Sequence, residues 1–344
     1  MPIQKLTSTN AFVAIDLEGV PAAGVVRCAP KILQGGAKDL ARSLTYTFAA
    51  FEMKRSGASA GINAAADARG EAVAAFVEEL TPQVAAGDLS ITAAKGVEST
   101  ELAALSDADD RHPIAGATVG DNDDLATHLA GLGPVIAAER VLGGLDGKRV
   151  AIEGFGTHGA ALADAAAARG ARIVAVSTAK GAMTAESGIE ASELRAGWQS
   201  AAEGMVGDDA APAWKVFGAE TDVLFTGSKM GAINHETAAT LTASAVIPHA
   251  PIPYTARALA VMTRNDIIAV PDFLATAGPV FAWWPQGEAD DAAAVVAAAS
   301  AAIGGALDET ASHQEGAFLG ACQRAEAFLS TWRDELPFGR PLAS

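Results

Sequence analysis

Cysteine, tyrosine and basic side chains are scarce in this sequence. It has 2 cysteines, 2 tyrosines, and 24 lysines and arginines against 41 acidic residues, which gives a formal net charge of −17 at pH 7. Because proteins bind the phosphate backbone of nucleic acids through clustered Lys and Arg, this balance argues against a nucleic acid partner. A small anionic cofactor needs only a few local donors and stays compatible with the charge.

The two cysteines, Cys28 and Cys322, are far apart, and no metal-ligand spacing surrounds them. We therefore expect two buried thiols and no metal site.

Long apolar segments are also lacking. No run of about 18 residues is free of charged or turn-forming residues, so we expect no membrane-spanning helix. The start of the chain, Met1–Leu17, lacks the apolar stretch and the small-residue cleavage site of a signal peptide. No repeat with a period of about 20–50 residues is visible. These absences predict a cytoplasmic protein without a membrane partner.

Alanine dominates a hydrophobic fraction of 50%, so Ala-rich helices around a sizeable core are expected. The acidic, Gly-containing residues 105–124 are expected to form a linker or an active-site loop. The other elements predicted in the first half are strands over 11–17, 23–28 and 89–92, and helices over 37–55 and 70–80.

Strands alternate with helices in the second half of the chain. This alternation is typical of a doubly wound parallel sheet and predicts an α/β fold with a Rossmann-type domain. The predicted strands are 148–153, 171–176, 222–225, 245–247 and 267–270, and the predicted helices include 125–142, 160–168, 289–306 and 311–333.

Gly154, Gly156 and Gly159 fit the pattern G-x-G-x-x-G between a predicted strand and a helix of small residues. In that context the first Gly permits a tight turn, the second lets a pyrophosphate approach the backbone, and the third lets helix and strand pack closely. The free N–H groups at the helix start, with Thr157 and His158 in the loop, are suited to phosphates. The pattern predicts a dinucleotide site.

The acidic residue that would hold the ribose is missing after the next predicted strand. Thr178 stands at that position, and Lys180 follows two residues later. Thr178 can hydrogen-bond a plain ribose, whereas Lys180 can attract a 2′-phosphate or remain a solvated loop lysine. The predicted cofactor is therefore NAD or NADP.

With this motif and its flanking elements, the chain resembles the glutamate/leucine/phenylalanine/valine (amino acid) dehydrogenase family. The resemblance is specific in the second half and degenerate in the first, and the segments occur in the family's order. The segments that carry it are Lys148–Met183, Thr221–Ser228 and Ala269–Gly278, then Ala11–Arg27, Leu44–Ile62 and Ile91–Thr100.

The resemblance implies two domains, a homo-oligomer of two or more copies, and hydride transfer between a small-molecule substrate and NAD(P). It implies a substrate and dimerisation domain over 1–117, a Rossmann domain over 118–294, and helices from about 295 to 344 that return to the first domain. It also implies contacts to the cofactor from Thr127, Thr226, Gly227 and Thr276.

The family's catalytic residues are absent. Thr47 stands where the family has a Lys for the substrate carboxylate, Ser59 replaces the catalytic Lys, and Lys95 replaces the catalytic Asp. Oxidative deamination needs a cation for the carboxylate, a polarising lysine and a carboxylate that moves protons. We therefore expect a divergent active site and a substrate other than the ordinary amino acids.

Several residues remain candidates for other chemistry. Lys95 could be a desolvated base or Schiff-base nucleophile beside Ser59, or only an ion-pair partner of Glu98. His249 could act as a general acid/base or be structural. Arg27 and Thr47 are candidates for the substrate site. The alternatives to an NAD(P)-dependent oxidoreductase are a redox-neutral C–C lyase that uses Lys95 and a non-catalytic nucleotide-binding protein.

Overall fold

The structure is a computed structural model that describes residues 1–120, 123–207, 210–287 and 289–343, with only the backbone of Glu203. The chain forms two compact units. The first comprises Met1–Arg111 and Cys322–Pro341, and the second comprises His112–Ala321 and Leu342–Ser344.

The strands and helices of the first segment alternate around one sheet. They are β1 (Ile3–Lys5), β2 (Ala11–Ile15), β3 (Ala22–Ala29), α1 (Gln34–Ala50), β4 (Ser56–Asn63), α2 (Arg69–Ala85), β5 (Leu89–Ala93) and α3 (Ala103–Ala108).

The elements after residue 111 are listed next. They are β6 (Thr118–Val119), β7 (Asp123–Asp124), α4 (Leu125–Leu142), β8 (Arg149–Glu153), α5 (Thr157–Ala167), β9 (Arg172–Thr178), β10 (Gly181–Thr184), α6 (Ala191–Ala201), β11 (Val223–Thr226), α7 (His235–Thr240), β12 (Ala245–Pro248), α8 (Ala256–Arg264), β13 (Ile268–Ala269), α9 (Asp272–Ala275), α10 (Gly278–Trp283), α11 (Ala292–Ala311) and α12 (Ala317–Leu329). Short 3-10 helices cover Ser99–Leu102, Pro113–Gly116, Ala202–Val206 and Ala213–Gly218.

The first unit's sheet has the order β1-β2-β4-β3-β5, with β3 parallel to both β4 and β5. Alternate side chains of β3 and β4, such as Val26 and Ile62, enter a core that also takes Phe76 and Leu80 from α2. The helix α1 packs on the other face of β4. There a Cβ on Gly57 would lie 1.9 Å from the carbonyl oxygen of Ala41, so only glycine permits this approach.

The second unit's sheet has the order β10-β9-β8-β11-β12-β13. The strands β9, β8, β11, β12 and β13 are parallel, and β10 pairs antiparallel with β9. The chain passes from β8 to one side for β9 and later to the other side for β11. The sheet therefore has a topological switch point between β8 and β11, where open α/β sheets bind ligands.

Small residues let α4 pack tightly among its neighbours. A Cβ on Gly131 would lie 2.5 Å from the backbone of Ala161 in α5, and a Cβ on Gly278 would lie 2.0 Å from the carbonyl oxygen of Leu129. These contacts hold α5, and with it the glycine loop, in a fixed place beside α4.

Three features of the fold differ from the sequence-based expectations. The helix expected over 37–55 ends at Ala50, and Ser56–Asn63 is the strand β4. The expected loop 105–124 contains the end of α3, a 3-10 helix, β6 and β7, and its residues 121 and 122 lie outside the described residues. We expected the chain from about 295 to return to the first unit, but α11 packs on α4 in the second, and Cys322–Pro341 returns.

The helix α11 also bears on the expectation that no segment could span a membrane. It is, among the described residues, the one helix long and apolar enough to do so by length and composition. Its buried side chains Val295, Ala299, Ile303 and Leu307 recur every fourth residue and form a single stripe. A helix with one buried stripe is typical of the periphery of a folded domain.

Candidate functional site

The second unit's candidate site lies at the carboxyl edge of its sheet. The strand β8 ends at Glu153 and leads into Gly154, β11 ends at Thr226 and leads into Gly227, and β12 is followed by His249. The parallel register pairs Glu153 with Thr226 and Thr226 with Pro248. Residues far apart in the sequence therefore meet at the switch point.

Gly154 is required by the protein itself. Its φ is +84°, which L side chains rarely adopt, and a Cβ would lie 2.3 Å from the backbone nitrogen of Ser228. The first glycine of the motif therefore lets the loop after β8 turn directly against the loop after β11.

Gly156 is different, because no contact among the described residues requires a glycine there. Its φ of −162° is extended backbone, and a Cβ would meet only the indole edge of Trp198, at 3.8 Å. An unfilled place at the second glycine of the motif is what a pyrophosphate that approaches the backbone would need. Trp198, in α6, also packs edge-on against Phe155 with ring centroids 6.3 Å apart. The sequence analysis did not single out this tryptophan.

The first turn of α5 faces the same loop. No side chain caps the helix at Gly156, and Thr157 and His158 are both exposed. A Cβ on Gly159 would lie 3.4 Å from the ring of Phe155, so this glycine eases packing within the loop. Uncapped N–H groups at the start of a helix are a suitable site for phosphate oxygens.

Glu153 ties the loops after β8 and β11 together. Its carboxylate is buried and accepts hydrogen bonds from the Thr226 hydroxyl at 2.9 Å and from the backbone N–H groups of Gly227 at 3.0 Å and Ser228 at 3.2 Å. Sequence reasoning missed Glu153, although an acidic residue that ends a strand just before a glycine motif is a usable signal.

His249 completes this cluster from below. Its ring is buried, and its Nε2 lies 2.8 Å from the carbonyl oxygen of Glu153. A Cβ on Gly227 would lie 2.3 Å from the Cε1 atom of this ring. Burial lowers the pKa of His249, so the imidazole is favoured in its neutral form with the proton on Nε2. The ring packs and donates to the backbone, which favours the structural interpretation of His249 over the acid/base one.

The end of β9 is the position at which the sequence predicts contact with a ribose. Thr178 is buried at the end of β9, and its hydroxyl accepts a hydrogen bond from the backbone N–H of Lys180 at 3.2 Å. The Lys180 side chain is exposed on the tight turn between β9 and β10. The turn thus places a buried hydroxyl and an exposed lysine side chain at the position where the motif usually has a carboxylate.

The remaining predicted cofactor residues use their polar groups locally. The backbone N–H of Thr127 is capped by Asp124 at 2.7 Å. The hydroxyl of Thr276 donates to the carbonyl of Asp272 at 2.9 Å, and the hydroxyl of Thr226 is directed to Glu153. Of these three, Thr226 therefore orients Glu153 and is not free to face a ligand.

The first unit does not supply the expected chemistry at Lys95. Its side chain is exposed, whereas the base or Schiff-base nucleophile considered from the sequence would be buried. Its ion pair with Glu98 is also absent among the described residues; the backbone oxygen of Lys95 accepts from the N–H of Cys28 at 3.0 Å. The described residues thus show neither a buried Lys95 nor its ion pair with Glu98, and a role of Lys95 in a reaction stays a prediction.

The two replacements on α1 and β4 are buried. Thr47 donates its hydroxyl to the carbonyl of Ser43 at 3.2 Å, one helical turn earlier. Ser59 is fully buried, and its Oγ accepts a hydrogen bond from Nη2 of Arg27 at 3.4 Å. The Ser59 hydroxyl is therefore engaged with Arg27 inside the first unit.

The two cysteines are buried and are not joined in a disulfide, as expected for Cys28 and Cys322. The described residues contain no group of three or more His, Cys, Asp or Glu side chains placed to hold a metal ion.

The chain is similar in sequence to known proteins over part of its length. The profile of the family described as Glutamate/Leucine/Phenylalanine/Valine dehydrogenase matches residues 125–283. Glutamate dehydrogenase of Aeropyrum pernix is 31% identical over 148 residues, which are 42% of this chain and 35% of that protein. NADP-specific glutamate dehydrogenase of Saccharolobus shibatae is 29% identical over 146 residues, 42% of this chain and 34% of that protein.

The matched part thus spans about a third of these relatives' length. The hetero-hexameric glutamate dehydrogenase of Thermus thermophilus in its Leu-bound form superposes with a TM-score of 0.78 at 22% identity, covering 95% of this chain and 86% of that one. This similarity extends the common fold to the first unit. The chain therefore resembles the glutamate/leucine/phenylalanine/valine dehydrogenase family in sequence over most of its second unit, and in fold along nearly its whole length.

Proposed function

We propose that this chain is an NAD(P)-dependent oxidoreductase on an amino acid dehydrogenase scaffold, and that its substrate is not one of the ordinary amino acids. The observation that carries the proposal is Gly156. The protein leaves room for a Cβ there and the backbone suits any residue, so a ligand that approaches the backbone is the reason for a glycine.

The residues present fit such a cofactor. The first-turn N–H groups of α5, with Thr157 and His158, hold the pyrophosphate. Thr178 and Lys180 bind either a ribose hydroxyl or a 2′-phosphate. Thr127, Gly227 and Thr276 lie along the nicotinamide end by resemblance. When bound, the nicotinamide ring accepts or donates a hydride. Glu153 and His249 hold the loop at Gly227 in place and move no proton.

The substrate side departs from oxidative deamination. Thr47 is engaged within α1, Ser59 is buried, and Lys95 is exposed, so the proton-transfer pair that deamination needs is missing from these positions. The lyase alternative depended on a desolvated Lys95, and the exposed side chain removes that support.

A second candidate function is nucleotide binding without catalysis. The same three residues favour it, because none of them is placed as an acid, a base or a nucleophile. A change in the absorbance of the reduced nicotinamide during turnover supports the oxidoreductase, whereas binding without turnover of any substrate supports the second candidate.

The experiment that tests the proposal compares Gly156→Ala with the wild type by calorimetric titration with NAD and with NADP. We expect the added methyl group to weaken dinucleotide binding at least about tenfold, a cost of about 1.4 kcal/mol, while the melting temperature stays unchanged. Gly305→Ala is the matched control, because a Cβ there also meets open space. Equal affinities of wild type and Gly156→Ala, or no binding to the wild type, would contradict the proposal.

We further propose a cytoplasmic location, a small-molecule substrate and assembly into a homo-oligomer. The support is the resemblance, and light scattering on the purified protein measures the number of copies directly.

A further inference from the structure

The indole of Trp198 forms one wall of the place left open at Gly156. A Cβ on Gly156 would lie 3.8 Å from Cζ2 and 3.9 Å from Cη2 of this ring. Apart from the chain neighbours of Gly156, no other described residue has an atom within 4 Å of that position. A group that approaches the backbone of Gly156 therefore also contacts the indole.

The helix that carries Trp198 is fixed to the helix that follows the glycine loop. Arg195 of α6 is buried, and its Nε donates to the carboxylate of Asp164 in α5 at 2.6 Å. Its two terminal nitrogens donate to the carboxylate of Asp123, both at 2.9 Å. Trp198 comes three residues after Arg195 and so lies on the same face of α6, which places the indole beside α5.

Phe155 holds the indole from inside the loop. Phe155, the residue between Gly154 and Gly156, is buried, and its ring meets that of Trp198 at an interplanar angle of 69°. The tryptophan itself is half-buried. Part of its surface is therefore held by the protein, and part is open to a ligand.

The edge of an aromatic ring, unlike its face, carries a positive partial charge. Cζ2 and Cη2 are carbons of that edge, and they are the atoms of Trp198 nearest to the Cβ position of Gly156. The uncapped N–H groups in the first turn of α5 border the same loop. An anion at this position is thus attracted by the helix and by the ring edge, whereas an uncharged group gains no such attraction from the edge.

We propose that Trp198 binds the pyrophosphate of the dinucleotide through its ring edge and that Arg195 positions it. This inference rests on the proposed function, and it adds to the glycine motif a binding residue from another helix. It follows that Trp198 contributes to the binding of every ligand that carries a pyrophosphate, such as ADP, and not to the binding of adenosine.

The test observes Trp198 directly by fluorine NMR on the full chain, labelled with tryptophan that carries fluorine at Cζ3. The label leaves the Cζ2–H and Cη2–H edge unchanged, and Trp198→Phe assigns one of the five tryptophan resonances by its loss. We expect NAD and ADP to shift this resonance in a saturable way and adenosine to leave it in place. Trp214→Phe, at a tryptophan that is 62% exposed, removes a different resonance and keeps the response.

Calorimetric titration measures the contribution of the ring to affinity. Leucine at position 198 keeps an apolar side chain but has no ring edge. We expect Trp198→Leu to weaken the binding of both NAD and ADP by about fivefold, the scale of one aromatic contact. Trp214→Leu is the matched control in the same unit and should bind both ligands as the wild type does.

The outcomes separate this inference from the proposed function. If NAD binds to the wild type while the Trp198 resonance stays unmoved, the inference is overturned and the proposed function stands. A shift with adenosine as large as that with ADP also overturns it, because the ring would then contact the adenosine. A shift with NAD that ADP does not reproduce assigns the contact to the nicotinamide half and has the same effect. Absence of NAD and NADP binding contradicts the proposed function and this inference with it.

Discussion

Two buried residues outside the glycine motif, Glu153 and His249, hold the loops after β8 and β11 in place beside Gly154. Glu153 and His249 fix the loops on either side of the switch point, one through three donors to its carboxylate and the other through its ring beneath Gly227. Both are buried, and burial lowers the pKa of His249, so the protonation of His249 is linked to folding.

His249 gives this linkage a sign. Burial lowers its pKa in the folded protein below the unfolded value of about 6.5, so the unfolded state binds more protons. The stability contributed by neutral His249 is complete above the unfolded pKa and is lost as the pH falls toward the folded pKa, by up to about 1.4 kcal/mol per pH unit. Chemical unfolding of wild type and His249→Gln between about pH 8 and pH 5 should give the shallower slope for the variant.

The glutamine retains a donor for the Glu153 carbonyl and removes the titration. The exposed His235 provides the control, and His235→Gln should keep the wild-type slope. A His249→Gln slope equal to that of the wild type would show that His249 does not titrate in this range.

The sequence predicted the positions of the glycines but not their separate reasons. Gly154 and Gly156 look alike in the pattern, yet one is required by the neighbouring backbone at Ser228 and the other by nothing in the protein. Lys95 shows another limit of the sequence, because the alignment of a residue with a catalytic position does not determine whether its side chain is buried.

At the scale of elements, the end of α1 carries a strained residue. The N–H of Met53 bonds to the carbonyl of Phe48 at 2.8 Å, and that of Glu52 bonds to the carbonyl of Ala49 at 3.1 Å. This is the Schellman pattern, in which glycine is preferred at the position of Glu52, whose φ is +59°.

Glu52→Gly should therefore stabilise the protein by about 1 kcal/mol, because it relieves the left-handed strain of an exposed side chain. The loss of chain entropy at a glycine opposes this gain and is the smaller of the two effects. Glu78→Gly makes the same chemical change at an exposed interior position of α2 and should destabilise by about 1 kcal/mol. Denaturant unfolding measures both. A loss of stability in Glu52→Gly would mean that its backbone conformation is not strained.

The strand β4 was not predicted from the sequence. Ser56–Asn63 consists mostly of Ser, Gly and Ala, which have low strand propensity. These residues are small because α1 crosses β4 closely at Gly57. The reason is a tertiary contact, so no local pattern could predict it, whereas β8 and β9 were predicted because buried parallel strands are continuously apolar.

At the scale of the whole molecule, the fold class was predictable because the alternation of strands and helices extends over many residues, whereas the division into two domains was implied by the resemblance. The segment that returns to the first unit was placed too early. The Ala-rich α11 has no feature in its sequence that separates packing on α4 from packing elsewhere, and its neighbours decide the matter.

We expect little or no oxidative deamination of glutamate, leucine, valine or phenylalanine with either NAD or NADP. The physical reason is the state of Thr47, Ser59 and Lys95, which leaves the reaction without its polarising cation and its proton carrier. Absorbance assays of reduced nicotinamide measure it. Turnover of any of these four amino acids on the order of 1–10³ s⁻¹ would contradict this prediction.

The division of the first unit between Met1–Arg111 and Cys322–Pro341 has a consequence for synthesis on the ribosome. The hydroxyl of Tyr46 donates a hydrogen bond to the carboxylate of Glu326, and Arg42 donates one to the carbonyl of Phe338. Neither bond can form before the segment Cys322–Pro341 has been synthesised. At about 5–20 residues per second, the intervening chain takes roughly 10–40 s to emerge. His112–Ala321, which is nearly all of the second unit, is available to fold while the first unit still lacks Cys322–Pro341, so the segment that is translated first waits longest for its remaining contacts.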